Sequence, residues 1–181
     1  MTNTQPRGTY DAVATIIHWV IALLLIPMLF FGEELMEAEG GGTFLPSLHV
    51  SIGVSIFVLS IIRLAWRIGH PAPAAPATRP AWEAVASRLS HFAFYVLMIG
   101  LPVTGWLALP PLLAKEPAFV GTSMFGFSVP MAPDFGLPAG GLHNLGSKIG
   151  IALLILHVAA ALKHHFINRD DVLTRMLPGH Q

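Results

Sequence analysis

The sequence predicts an all-α integral membrane protein, a four-helix transmembrane bundle with both termini cytoplasmic. Composition is the first indication: apolar residues make up 54% of the 181 and charged residues only 11%, against roughly 25% charge in soluble domains. Second, four stretches are long and apolar enough to cross the hydrocarbon, which takes about 20 helical residues. Third, eight of the ten basic residues gather at one end of those stretches.

The first span runs from about Asp11 to Phe31. A signal peptide would be shorter, would not carry His18 and Trp19, and would end in a small-residue cleavage site. The second span covers about 47–67, the third about 87–109 and the fourth about 142–165. Residues 70–82, HPAPAAPATRPAW, read as a stiff Pro/Ala connector unable to form helix. Residues 110–141, rich in Pro, Gly and Phe, read as a longer loop folded over the outer helix ends. With no internal repeat and no soluble segment, residues 1–181 form one four-span unit. Arg7, Arg63, Arg67, Arg79, Arg88, Lys163, Arg169 and Arg175 share one side, while Lys115, Lys148 and the Glu33, Glu34, Glu37 and Glu39 cluster share the other. The positive-inside rule therefore puts the termini in the cytoplasm of a multi-pass protein of the inner membrane.

Charge and cysteine content narrow the chemistry. Net charge is zero and no basic block is present, so nucleic acid is excluded as a partner. Cysteine is absent, which excludes disulfides, thiolate-ligated clusters and covalent c-type haem.

Histidines lie inside the spans at matched depths. An imidazole in a bilayer is costly unless it binds something. At 1.5 Å per residue, His157 lies about 9 Å above Lys163 and His18 about 10 Å above Asp11. His49 and His143 both sit at the outer boundary, opening spans 2 and 4. His143 and His157 are fourteen residues apart, so they leave span 4 within about 40° of one direction and about 21 Å apart along the axis. One helix can thus serve two metals. Zinc asks for four tetrahedral ligands, and no carboxylate lies deep in a span. Two facing neutral imidazoles suit instead the axial positions of a noncovalent haem in a helix bundle.

Propionates need cations near the water boundaries. Arg63, fourteen residues after His49 on the same face, is placed for the inner haem, and Lys148 is the only cation near the outer one. His91 can replace His157 opposite His18, or can hydrogen-bond to an inner propionate or a quinone; Tyr95, one turn on, is a weaker quinone candidate. His70, His164, His165 and His180 lie where water keeps an imidazole hydrated. Gly53, Gly146 and Gly150 would let a porphyrin approach the backbone, or would let helices pack closely. Trp19, Trp66, Trp82 and Trp106 read as interfacial anchors.

Several strings are more specific. Tyr10, His18 and Trp19 stand in span 1, LHVSIG heads span 2 with RLAW at its foot, and HFAFY followed by TG marks span 3. MFGFSVP lies in the long loop, and LHVAAALKHHFINRDDVLTRMLP runs through the last span. On these residues the chain resembles, over nearly its whole length, the bacterial cytochrome b561 family, related to cytochrome b subunits of membrane hydrogenases and formate dehydrogenases. The resemblance implies two bis-His haem b groups, the outer on His49 and His143 and the inner on His18 and His157. Family members usually carry Lys directly after the span 2 histidine, where this chain has Val50. The implied function is electron transfer across the inner membrane between a periplasmic donor and ubiquinone or another quinone. Superoxide oxidation coupled to quinone reduction, an oxidoreductase activity, is the leading reaction. The alternative is a cytochrome b subunit docking on a periplasmic dehydrogenase or hydrogenase. A multi-histidine metal carrier or proton relay, and a structural scaffold, are the remaining alternatives.

Overall fold

The computed structural model describes residues 10–37, 42–71, 80–115 and 120–177. Four helices long and apolar enough to cross a membrane dominate it: α1 (Ala12–Glu37), α2 (Phe44–Gly69), α3 (Ala81–Lys115) and α4 (Ala139–Leu162). Strands β1 (Ser123–Met124) and β2 (Phe127–Ser128) form a short antiparallel hairpin between α3 and α4, with Ser123 opposite Ser128 and Met124 opposite Phe127. α1 packs on α2, α2 on α3, α3 on α4 and α4 on α1, which closes the bundle. The N-terminal end of α1 and the C-terminal end of α4 share one end of the bundle, called here the terminal end; the hairpin lies at the other.

The helices outrun the expected spans because span limits follow hydrocarbon thickness, whereas a helix continues as long as its backbone bonds are made. α3 shows the difference best. Ala81 and Trp82, read from sequence as connector, begin this helix, and its first turn bonds the Glu83 and Ala84 amides to the Pro80 carbonyl. Residues 110–115, read as loop, end it. Pro110 and Pro111 do not stop it, since proline's fixed φ is helical and what it removes is one backbone donor each. The rest of the expected connector, 72–79, lies outside the described residues, as do Arg7, Arg79, Glu39 and His180.

A core of Ile21, Leu25, Leu29, Ile56 and Met98 lies between the helices. Outside it large apolar side chains face outward, Leu23 at 72% exposure and Leu156 at 67%; such a surface is stable against lipid, not water. A Cβ on Gly146 would come within 2.8 Å of Leu101 Cδ2, and one on Gly150 within 2.9 Å of Leu29 Cδ2. These two glycines therefore serve helix packing, the second of their two sequence readings.

Tryptophans fasten the ends. The Trp19 indole donates to the Met176 carbonyl at 2.6 Å, Trp66 to the Asp11 carboxylate at 3.1 Å, and Trp106 to the Pro130 carbonyl at 2.6 Å. Asp11 also caps α1 by accepting from the Ala14 amide at 2.9 Å. Beyond α4 the chain makes a π-helical turn, Lys163–Asn168, and folds back beneath the bundle. His164, expected to be hydrated, is buried there: its Nδ1 lies 2.6 Å from Asp170 Oδ2, and its Nε2 lies 3.7 Å from Glu83, which also pairs with Lys163 at 2.6 Å. Its depth along the chain places His164 at the water boundary; it is buried because the segment after the π-turn brings Asp170 against it and α3 brings Glu83.

Gly150→Val is expected to destabilise the bundle by about 1–3 kcal/mol through overpacking against Leu29, read as a lower thermal midpoint in detergent. Gly69→Ala, whose Cβ would meet nothing within 4 Å, is expected to leave it unchanged.

Candidate functional site

Two groups of imidazoles lie between the helices, one at each end. At the hairpin end His49 of α2 faces His143 of α4, ring centroids 6.0 Å apart and planes at 54°. His49 Nδ1 donates to the Gly32 carbonyl of α1 at 3.0 Å, and His143 Nδ1 donates to the Leu101 carbonyl of α3 at 2.8 Å. A carbonyl only accepts, so in both rings Nδ1 carries the proton and Nε2 keeps its lone pair. That is the tautomer a metal-bound imidazole needs, and a backbone carbonyl behind the ring is the usual way of fixing it.

Two glycines make room for these rings. A Cβ on Gly105 would stand 3.0 Å from His143 Cε1 and 3.1 Å from its Nδ1; one on Gly32 would stand 3.3 Å from His49 Cε1. Thr104 Oγ1, 3.4 Å from His143 Nδ1, gives its own proton to the Gly100 carbonyl.

At the terminal end His18 of α1 lies 6.4 Å from His157 of α4, planes at 58°. His91 of α3 lies 5.9 Å from the same His157, at 76°, and Phe94 stands edge-on to it at 5.2 Å. Here the tautomers differ. Arg63 Nη1 donates to His18 Nδ1 at 2.9 Å, which puts the His18 proton on Nε2. For His18 to offer Nε2 to a metal, Arg63 has to release it. Arg63, expected opposite a propionate, is thus engaged with the imidazole itself.

An ion held between two imidazoles by bonds of about 2.0–2.1 Å, each ring centre about 1.1 Å behind its nitrogen, sets the centroids about 6.3 Å apart. The separations of 6.0 and 6.4 Å accommodate that arrangement. Among the described residues no three or more His, Asp or Glu side chains gather around a single point. A bare-ion site of the zinc type therefore is not formed by them, whereas axial ligation of a macrocycle asks for two imidazoles only. Gly53, one turn after His49, leaves open space where its Cβ would stand. Haem fits the hairpin-end donor set as it stands, and fits the terminal-end set once Arg63 moves.

Other residues named from sequence lie elsewhere. Lys148 is exposed, five residues and so about 140° around α4 from His143. Glu33 and Glu34 are exposed at the hairpin end. Tyr95 packs against the core with its hydroxyl buried. The residues that fix the imidazoles, Gly32, Leu101 and Gly105, escaped the sequence reading as working parts. Gly105 stands in the TG string of span 3, but its partner is on another helix and no spacing rule connects them.

Comparison with known proteins settles the kinship. A model of the prokaryotic cytochrome b561 family matches residues 9–179. The chain belongs to that family. It is 33% identical to cytochrome b561 homolog 2 of Escherichia coli (strain K12), covering 97% of this chain and 94% of the relative. It is 31% identical to cytochrome b561 homolog 1 of the same organism, over 90% and 93%. To a protein of Yersinia pestis described as probable superoxide oxidase CybB it is 27% identical, over 93% and 96%. Membership in the cytochrome b561 family implies haem-mediated electron transfer across a membrane. With its four long apolar helices, this cytochrome b561 relative is a multi-pass protein of the bacterial inner membrane.

Gly105→Ala is expected to lower haem bound per polypeptide, because the new methyl displaces the His143 ring, and Gly32→Ala to lower it less. A pyridine haemochrome assay on purified protein reads both.

Proposed function

We propose that this protein is a di-haem b-type cytochrome that carries electrons across the inner membrane from a periplasmic donor to the quinone pool. His49 and His143 hold one haem at the hairpin end, and His18 and His157 hold the other at the terminal end. The observation that carries the reading is the facing pair His49 and His143, each Nδ1 tied to a carbonyl of a neighbouring helix with Nε2 left free.

Haem, when bound, supplies one-electron redox chemistry. The chain's own residues do the rest. The Gly32 and Leu101 carbonyls orient the rings and raise ligand basicity by accepting from Nδ1. With haem bound, Arg63 would turn from His18 to a carboxylate of that group, and the His18 proton would shift from Nε2 to Nδ1, which would free Nε2 to ligate and keep the half-buried guanidinium paired. His91, beside His157 with Ser87 Oγ 3.5 Å from its Nδ1, stays a hydrogen-bonding residue at the terminal-end site. Arg63, Arg67, Arg88, Lys163, Arg169 and Arg175 lie toward the terminal end, which by the positive-inside rule faces the cytoplasm and leaves the hairpin end in the periplasm.

Superoxide is the donor this reading favours, supported by the similarity to the probable superoxide oxidase. Two superoxide anions give up one electron each and leave as O2. A quinone takes those two electrons with two protons and becomes the quinol. The exposed Glu33 and Glu34 work against anion approach, so the encounter rate is expected to rise with ionic strength as their repulsion is screened.

Redox titration of the holoprotein tests the pairs. His49→Ala and His143→Ala are each expected to remove the same component and His18→Ala and His157→Ala the other; loss of one component by a mixed set would overturn the pairing. Anaerobic stopped-flow mixing with superoxide is expected to reduce the haems and, with quinone present, to yield quinol. Haems that stay oxidised would exclude superoxide as the donor.

A further inference from the structure

The hairpin lies beside the first two turns of α2. Counting about 20 residues of hydrocarbon back from Arg67 along α2 reaches Ser47, so Ser51, four residues on, stands about 6 Å inside the membrane boundary. Both serines hold the hairpin. The Ser123 amide donates to Ser47 Oγ at 2.9 Å, and the Phe125 amide donates to Ser51 Oγ at 2.9 Å. The tip of the turn, Phe125 and Gly126, therefore hangs at the depth of the second turn of α2.

Non-helical backbone survives at that depth only where protein groups satisfy it. The serines meet that condition in a specific way. Ser47 Oγ gives its proton to the Thr43 carbonyl at 2.5 Å and Ser51 Oγ to the Ser47 carbonyl at 2.7 Å, which leaves the oxygen lone pairs turned toward the hairpin amides. Phe125 is held at φ +52°, where a bulky residue is strained, and Gly126 at +82°.

The rest of the segment is apolar and open. Residues 120–133 contain no charged side chain. Phe127 is 72% exposed and Phe125 58%. Two bare aromatics at membrane depth, on a segment without charge, match lipid and not water. Between the hairpin and the end of α3 lies a half-open cavity of about 330 Å³, bordered by Leu109, Leu113, Val129 and Met131 and also by Thr122, Ser123 and Ser128. Trp106, whose indole bonds the Pro130 carbonyl, fastens the segment's exit to α3.

We infer that residues 121–131 form a re-entrant hairpin inserted into the leaflet at the hairpin end, with Phe125 and Phe127 against phospholipid acyl chains. The protein has no cysteine, so Phe127→Cys carries a single nitroxide label. The holoprotein in phospholipid vesicles is measured for collision with oxygen, which concentrates in lipid, and with a water-soluble nickel chelate. Glu34→Cys serves as the aqueous reference and Leu23→Cys as the lipid reference. The expected oxygen-to-nickel ratio at residue 127 is several-fold above that at 34 and close to that at 23. A ratio equal to that at 34 puts the hairpin in water and overturns the inference. Protection from both reagents, as under a protein partner or a second copy, overturns it equally. Phe125→Cys gives the same reading if Phe127→Cys does not fold. In the Phe127→Cys background, Ser47→Ala with Ser51→Ala is expected to release the segment and drop the ratio toward the aqueous value.

Discussion

Polar groups in hydrocarbon have no water to fall back on, and the architecture follows from finding each of them a partner within the protein. Helices solve the problem for most of the backbone. What is left over, imidazoles, a guanidinium, indoles and a hairpin, is placed where another helix offers the missing acceptor or donor. His49 and His143 reach carbonyls of α1 and α3, Arg63 reaches His18, and the hairpin amides reach Ser47 and Ser51. Each of these bonds crosses between elements, so the same set that satisfies polar groups also fixes the bundle.

That economy gives the two ends different characters. At the hairpin end both imidazoles have Nδ1 engaged by backbone, which cannot move without unwinding a helix, so Nε2 is fixed in direction and protonation. At the terminal end the partner of His18 is a long side chain, which can swing. His157 there has His18 on one side and His91 on another at comparable distances. One end is set by backbone; the other is held by a side chain that can swing. On the proposed di-haem reading, such a difference in ligand setting is a source of different potentials at the two ends, since hydrogen bonding to a ligating imidazole is one of the levers that tune a haem.

Spacing along a helix carries over into space because the rise per residue is fixed. Four spans were readable from apolar run length, and the depth of His18, His49, His143 and His157 from counting residues. Angular position on one helix was readable too, as for His143 and His157. Whatever lay across a helix-helix contact was not. Gly146 and Gly150 were equally consistent with a porphyrin or a neighbouring helix until Leu101 and Leu29 were seen against them. Depth places His164 at the water boundary, and its burial depends on Asp170 and Glu83, which other parts of the chain bring against it.

The sequence by itself determined the solvent, the number of crossings and the levels at which imidazoles stand, because apolar length and helical rise are properties of a single segment. Only the tertiary structure decided which nitrogen of His18, His49 and His143 carries its proton, which glycines stand behind the rings, and that the loop after α3 lies beside α2. Those depend on atoms that different helices bring within about 3 Å of one another, the length of a hydrogen bond, and no local pattern in the chain encodes a distance across the bundle.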